Sequence, residues 1–296
     1  MTQRQATLIG ATAVLMWGLL ALFTTKTGKV PPFQLAALSF AVAALLTLVK
    51  WAVRREDPRP YLAQPPGAWV LGVGGLFGYH FFYFMALRNA PPVEAGLIAY
   101  LWPLLIVLFS ALLPGEKLRW YHAAGAMAGL AGTVILVTGG GPDLGQGWAF
   151  KAEYSLGYAM AAGCALTWST YSVLNRRYGA VPTDTVGAFC LCTAVLSALG
   201  HLMFETTVWP ADGGEWLAVL ALGLLPVGAA FYAWDFGTKH GDIQALGAMS
   251  YAAPLISTAL LILSGEGQAT AAIAAGCALI VGGAVLASRD MLRRRA

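Results

Sequence analysis

Residues 95–113 read AGLIAYLWPLLIVLFSALL, nineteen positions without a single charge. A bilayer core about 30 Å thick takes roughly 20 apolar residues in helical form, so this stretch predicts a membrane-spanning helix. It does not alternate with period two, which favours a helical bundle over a transmembrane barrel. Nine further runs of the same kind occupy residues 8–25, 33–53, 68–87, 121–138, 156–174, 185–204, 216–234, 245–263 and 269–287. The ten together take up about two thirds of the 296 residues, which leaves no room for a soluble domain. The fold class is therefore all-α, a polytopic membrane protein with ten transmembrane helices.

Composition agrees. Hydrophobic residues make up 58% of the chain and charged residues 11%, against roughly 25% charged in an ordinary soluble domain. The net charge of +4 is spread between apolar runs, with no basic stripe for nucleic acid. Cys164, Cys190, Cys192 and Cys277 all fall inside apolar runs, where a small buried hydrophobe is the expected role. No metal or other cofactor is expected. The first run is followed by Lys26 and Lys29, not by a small-residue cleavage pattern, and is expected to stay in the mature protein.

With a cytoplasmic N-terminus, fourteen of the 18 Lys and Arg residues fall on the inner side and four (Lys26, Lys29, Arg88 and Lys151) on the outer. Positive charge gathers inside, so both termini are expected in the cytoplasm and lipid headgroups are the expected neighbours of most of these side chains.

The run at 95–113 has an echo. At an offset of 151, Gly96, Tyr100 and Pro103 match Gly247, Tyr251 and Pro254. The same offset pairs Trp17 with Trp168, Pro31 with Pro182, Tyr83 with Trp234, Arg88 with Lys239 and Gly132 with Gly283. Gly115-Glu116 matches Gly265-Glu266 at 150. The repeat holds five spans, an odd number, so the second copy enters the membrane from the opposite face. This predicts two inverted five-helix repeats, at 1–138 and 156–287, joined by a linker at 139–155 and followed by a basic cytoplasmic tail at 288–296. Such a pair supplies two similar arrangements, one open to each side, as alternating access requires.

Pro103 and Pro254 lie at the centres of the fourth and ninth spans and are candidate hinges, since proline removes a backbone hydrogen bond; kinks that merely shape the bundle are the alternative. Trp17, Trp102 and Trp168 fall near mid-depth, away from the interfaces where tryptophan usually gathers. With Tyr79, Tyr83, Tyr100, Trp234 and Tyr251 they are candidate substrate-binding residues, able to pave a cavity for flat or apolar-bodied solutes; packing is the alternative for each. His80 is the only ionisable side chain well inside the third span and joins the candidates, against a neutral, singly hydrogen-bonded histidine. Glu94, Asp235, Asp242 and Glu266 sit at the predicted helix edges, so no span carries a central carboxylate, and none carries a central Lys or Arg. A neutral or zwitterionic solute fits such a path best. The small-residue patterns Gly74 to Gly78 and Gly125 to Gly129, with Gly132 and Gly283, permit close helix approach; a monomer is expected, with a homodimer contact as the alternative.

The segments Ala86-Leu87-Arg88-Asn89-Ala90, Glu94-Ala95-Gly96-Leu97, Leu101-Trp102-Pro103-Leu104-Leu105 and Gly115-Glu116-Lys117-Leu118, with Ala252-Ala253-Pro254-Leu255 in the second half, resemble the drug/metabolite transporter superfamily, in its EamA-type branch of ten-helix exporters. The resemblance covers essentially the whole chain, and the run from Tyr100 to Pro103 is similar to that of bacterial aromatic amino acid exporters. It implies export of aromatic amino acids, or of other metabolites or drugs, across the inner membrane through a central cavity. Ala253 stands where the first copy has Trp102, a departure from strict doubling. A membrane-embedded enzyme is the rival class, but no His-Glu-x-x-His helix, G-x-S-x-G elbow or central aspartate pair occurs; a multidrug exporter for small amphipathic compounds is the other alternative.

Overall fold

The computed structural model describes residues 1–138, 151–263 and 270–290. Most of the expected linker, the Gly265-Glu266 motif and the tail beyond residue 290 lie outside the described residues. Among those described there is no strand. The helices are α1 (Gln3–Gly18), α2 (Leu20–Thr25), α3 (Pro32–Arg54), α4 (Arg59–Leu62), α5 (Pro66–Asn89), α6 (Pro92–Ala99), α7 (Trp102–Ser110), α8 (Trp120–Thr138), α9 (Ser155–Leu174), α10 (Thr185–Phe204), α11 (Gly213–Leu224), α12 (Ala230–His240), α13 (Ile243–Met249), α14 (Ala252–Leu263) and α15 (Ala271–Ala287).

Eight helical stretches among these residues are long and apolar enough to cross a membrane: Gln3–Thr25, Pro32–Arg54, Pro66–Asn89, Pro92–Ser110, Trp120–Thr138, Thr185–Phe204, Gly213–His240 and Ile243–Leu260. At the sixth and tenth expected positions stand α9, with 20 residues, and α15, with 17. The chain is a multi-pass membrane protein.

The helix starts follow local chemistry. Thr2 and Gln5 form a capping box at α1, and Asp212 and Thr270 accept backbone N–H groups at the first turns of α11 and α15. Pro32, Pro66, Pro92 and Pro103 occupy first-turn positions, where the missing N–H costs nothing.

The most extensive helix contacts join elements from opposite halves of the chain: α8 with α15, α5 with α9, α3 with α10 and α1 with α12. Further packing gathers α5, α6, α7 and α9 into one group and α1, α12, α13 and α14 into another. Small residues set the closest approaches. A Cβ on Gly125 would lie 2.4 Å from the Gly283 carbonyl oxygen, and one on Gly132 would lie 2.6 Å from that of Gly276, so α8 and α15 meet backbone to backbone. At the α1–α12 crossing a Cβ on Gly10 would come within 2.9 Å of the Gly237 Cα. The Gly74 to Gly78 pattern is half used: Gly74 faces open space, whereas Gly78 packs against Thr167, and Gly72 and Gly75 pack more tightly still, against Phe189 and Tyr171.

Candidate functional site

The two spans that carry the matched prolines, the fourth and the ninth, are broken rather than bent. Tyr100 and Leu101 separate α6 from α7, and Ser250 and Tyr251 separate α13 from α14. The chain turns tightly there, with the Leu101 N–H on the Ile98 carbonyl (3.1 Å) and the Tyr251 N–H on that of Ala248 (3.3 Å). Pro103 and Pro254 then fall in the first turn of the helix that follows each break.

Four tryptophans converge between the two helix groups: Trp17 on α1, Trp102 on α7, Trp168 on α9 and Trp234 on α12. Every pair among them is in ring contact, from 5.0 Å between Trp17 and Trp234 to 6.3 Å between the stacked Trp168 and Trp234. Edge-on and tilted arrangements dominate, as ring quadrupoles prefer. Trp102, Trp168 and Trp234 are buried, and Trp17 is partly open.

The indole N–H groups divide into two kinds. Trp17 donates to the Pro226 carbonyl oxygen at 3.1 Å, and Trp234 donates to Ser172 Oγ at 3.0 Å. Among the described residues the nitrogens of Trp102 and Trp168 have no protein acceptor, yet neither is among the fully enclosed, unsatisfied atoms. A fully buried N–H without a partner would be costly; these two keep some access and are not spent within the described protein.

The remaining candidates extend the cluster along α5. Tyr79 lies 5.4 Å from Trp168 and stacks with Tyr83 at 6.1 Å. His80 donates Nδ1–H to the Leu76 carbonyl oxygen at 2.8 Å and stands edge-on to Phe40 and Tyr79. Tyr79, His80 and Tyr83 all keep part of their surface open, as does Tyr100 at the helix break. Tyr251 stands apart from the tryptophans. It is fully buried against Gly129, and its hydroxyl accepts the Leu104 N–H at 3.1 Å, one residue beyond Pro103.

Sequence reasoning missed several neighbours. Phe231 contacts Trp17, Trp168 and His80 and stacks on Phe40 at 5.6 Å; both phenylalanines lie in continuous apolar runs that give no site signal. A π-helical turn at Leu225–Ala229 contains Pro226 and releases the carbonyl that holds Trp17. Such turns recur at functional sites, and a proline inside a predicted span was the available clue.

The larger difference concerns Asp235. The helix runs past the apolar stretch to His240, which puts Asp235 and Lys239 inside it, both buried. Lys239 Nζ lies 2.9 Å from the Asp235 carboxylate and also donates to the Val181 carbonyl oxygen at 2.9 Å. Asn175 and Thr183 donate to the two carboxylate oxygens at 3.0 and 2.8 Å. With four hydrogen bonds made, the pair is buried without isolated charge.

Two clefts flank the bundle. One of about 560 Å³ opens at the face bearing the N-terminus, among Arg4, Thr7, Lys117, Asp242 and Gln244. The other, of about 410 Å³, lies at the far face among Pro31, Pro32, Phe84, Leu87, Arg88, Glu205 and Thr206. Among the described residues no cluster of metal-ligating side chains occurs.

The chain is similar to known proteins along its whole length. It is 56% identical to the aromatic amino acid exporter YddG of Ancylobacter novellus, covering 100% of both chains, and 30% identical to that of Salmonella typhimurium, covering 89% of each. A solved crystal structure that shares 55% of its sequence superposes with a TM-score of 0.90, covering 99% of this chain and 100% of that one. The model of the EamA-like transporter family matches residues 5–138 and again 155–289. Two matches in tandem over nearly the whole sequence make this chain a member of the EamA-like transporter family, within the drug/metabolite transporter superfamily.

Proposed function

We propose that the protein exports aromatic or other apolar amino acids and related metabolites from the cytoplasm, by alternating access of two inverted five-helix repeats around the tryptophan chamber. The observation that carries the reading is the tryptophan cluster between the helix groups: each repeat gives it two rings, and among the described residues two of its indole N–H groups have no protein acceptor. Aromatic faces take the side chain of the solute, and the free donors of Trp102 and Trp168, with the open edges of Tyr79, His80, Tyr83 and Tyr100, take its polar end. The solute carries no net charge in this scheme, because Asp235 is already neutralised by Lys239 and lies off the ring cluster. The relatives named for aromatic amino acid export support the same substrate class, and membership in a transporter family favours transport over the enzymatic reading.

The packing supports the inverted repeats and ten membrane crossings. The offset of 151 carries Gly10 onto Ala161 and Ala86 onto Gly237, so the tight α1–α12 crossing at Gly10 and Gly237 has its counterpart in α9 against α5, where Ala161 and Ala86 share one buried cluster. The two helix breaks fall within one residue of that offset, and each half carries its own family match. In this scheme residues 1–138 and 156–287 are the repeats, Pro103 and Pro254 mark the hinges, and Tyr251 acts by fixing one of those breaks. The protein resides in the inner membrane with both termini in the cytoplasm, surrounded by lipid and acting as a monomer.

The test is flux. Purified protein in liposomes is expected to move labelled phenylalanine and tryptophan faster than protein-free vesicles, with mutual competition, and Trp168→Ala to abolish the movement. No transport of any amino acid in a panel would overturn the proposal.

A further inference from the structure

Among the described residues the side-chain hydrogen bonds that fasten the seam between the two helix groups gather toward one face. From the chamber toward the N-terminal face, Trp234 bonds to Ser172; a step further, Asn175 donates to Asp235 and, at 3.0 Å, to Thr238. Beyond these, Arg176 donates to the Gly241 carbonyl oxygen at 2.7 Å and Gln244 donates to Ser110 Oγ at 3.1 Å. At the far face the offset of 151 puts Phe84 where Asp235 stands and Thr24 where Asn175 stands. Arg88, the counterpart of Lys239, reaches away from the seam to the Phe204 carbonyl oxygen on α10 and borders the far cleft. Among the described residues the fully buried ion pair at this seam thus exists in one repeat alone.

We propose that the Asp235–Lys239 pair, with Asn175, Val181 and Thr183, is a cytoplasmic latch that holds the unloaded exporter closed toward the cytoplasm and open outward; this rests on the alternating-access reading and its orientation. A buried ion pair contributes little net stability over apolar packing of equal volume, so thermodynamic stability alone does not account for one at this position. At a seam that opens and closes the balance differs. When the helices part, water replaces the lost partners of both charges, whereas an apolar contact of the same size would be exposed without compensation. The latch is also wired to the chamber. Trp168, Ser172 and Asn175 are spaced at i, i+4 and i+7 and so share one face of the α9 segment, while Trp234 and Asp235 are consecutive on α12. A solute that displaces either ring pulls on the bonds that close the seam.

The test reads accessibility and needs no substrate. In full-length protein with the four natural cysteines replaced by alanine, one reporter, Ile243→Cys, is buried near the latch and the other, Leu87→Cys, borders the far cleft. The double variant Asp235→Asn with Lys239→Gln removes both charges and strands neither. In inside-out vesicles a membrane-impermeant maleimide is expected to label Ile243→Cys about tenfold faster in that background, the factor that loss of a hydrogen bond to a charged group brings; Leu87→Cys is expected to label more slowly from the outside. Asn175→Ala, which keeps the ion pair and so protects the test against misfolding, is expected to shift both rates the same way by a smaller factor. Unchanged labelling of both reporters in both backgrounds overturns the latch. A shift in labelling supports it even where phenylalanine flux is absent, an outcome that would count against the substrate assignment alone.

Discussion

Replacing Trp168 with phenylalanine keeps an aromatic face against Trp234 and removes one N–H that the protein itself does not use. Replacing Trp234 with phenylalanine removes an N–H that is bonded to Ser172 at 3.0 Å inside the core. The hydrogen-bond accounting assigns opposite consequences to these similar changes. For Trp168→Phe the loss falls on the solute. A hydrogen bond to a carboxylate is worth roughly 1.5–3 kcal/mol, so half-saturation for phenylalanine should rise at least about tenfold, while thermal stability falls only by what the smaller ring's cavity costs, a loss common to both variants. For Trp234→Phe the loss falls on the fold, because a buried hydroxyl loses its partner at a cost of about 1–3 kcal/mol, seen as a lower midpoint of unfolding in detergent. The assays are concentration-dependent uptake of labelled phenylalanine into proteoliposomes and a thermal melt of each purified variant. Half-saturation within twofold of the parent for Trp168→Phe, or equal destabilisation by both changes, would refute the division of indoles into spent and unspent donors.

Tyr251→Phe should lower the unfolding midpoint by about 1–3 kcal/mol of lost stability, because the Leu104 N–H loses its acceptor, while half-saturation for phenylalanine stays unchanged; a binding defect without a stability defect would return Tyr251 to the chamber. Gly125→Val should cost about 1–3 kcal/mol or more as overpacking at a backbone contact, read in the same melt. His80→Gln is expected to leave the pH profile of flux unaltered, since Nδ1–H is committed to Leu76 and the ring is surrounded by Phe40, Tyr79 and Phe231; a displaced profile would assign it a proton.

The parts of the architecture that were legible beforehand are those written in spacing. The matched prolines at 103 and 254 mark real breaks, and the matched Trp17 and Trp168 meet at 5.7 Å. Trp102, unmatched in the second copy, is nevertheless a full member of the cluster. Hydropathy misled where charges cancel. The apolar run ends at Trp234, but the i, i+4 pair of Asp235 and Lys239 lets the helix continue with both charges buried, and no count of polar residues reveals that they neutralise each other. Tyr251 shared the chemistry and spacing of the chamber residues, and only the path of the broken helix decides that its hydroxyl serves Leu104. Phe40 and Phe231 could not be singled out, since a phenylalanine in an apolar run has the same appearance whether it faces lipid, core or cavity.

The crossing of α1 and α12 at Gly10 and Gly237 has a mechanical corollary. Two bare backbones touch at that point, with Leu246 beside them and the Trp17–Trp234 ring contact further along, so in the alternating-access reading the glycine contact is where one rod turns on the other. The α3–α10 pair is meshed instead, with Thr47 and the Tyr232 hydroxyl seated over Gly187 and Lys50 clamped to Asp184. The first contact is a bearing and the second a stator. A covalent crosslink across α3 and α10 should leave turnover running, while the same crosslink across α1 and α12 should stall it.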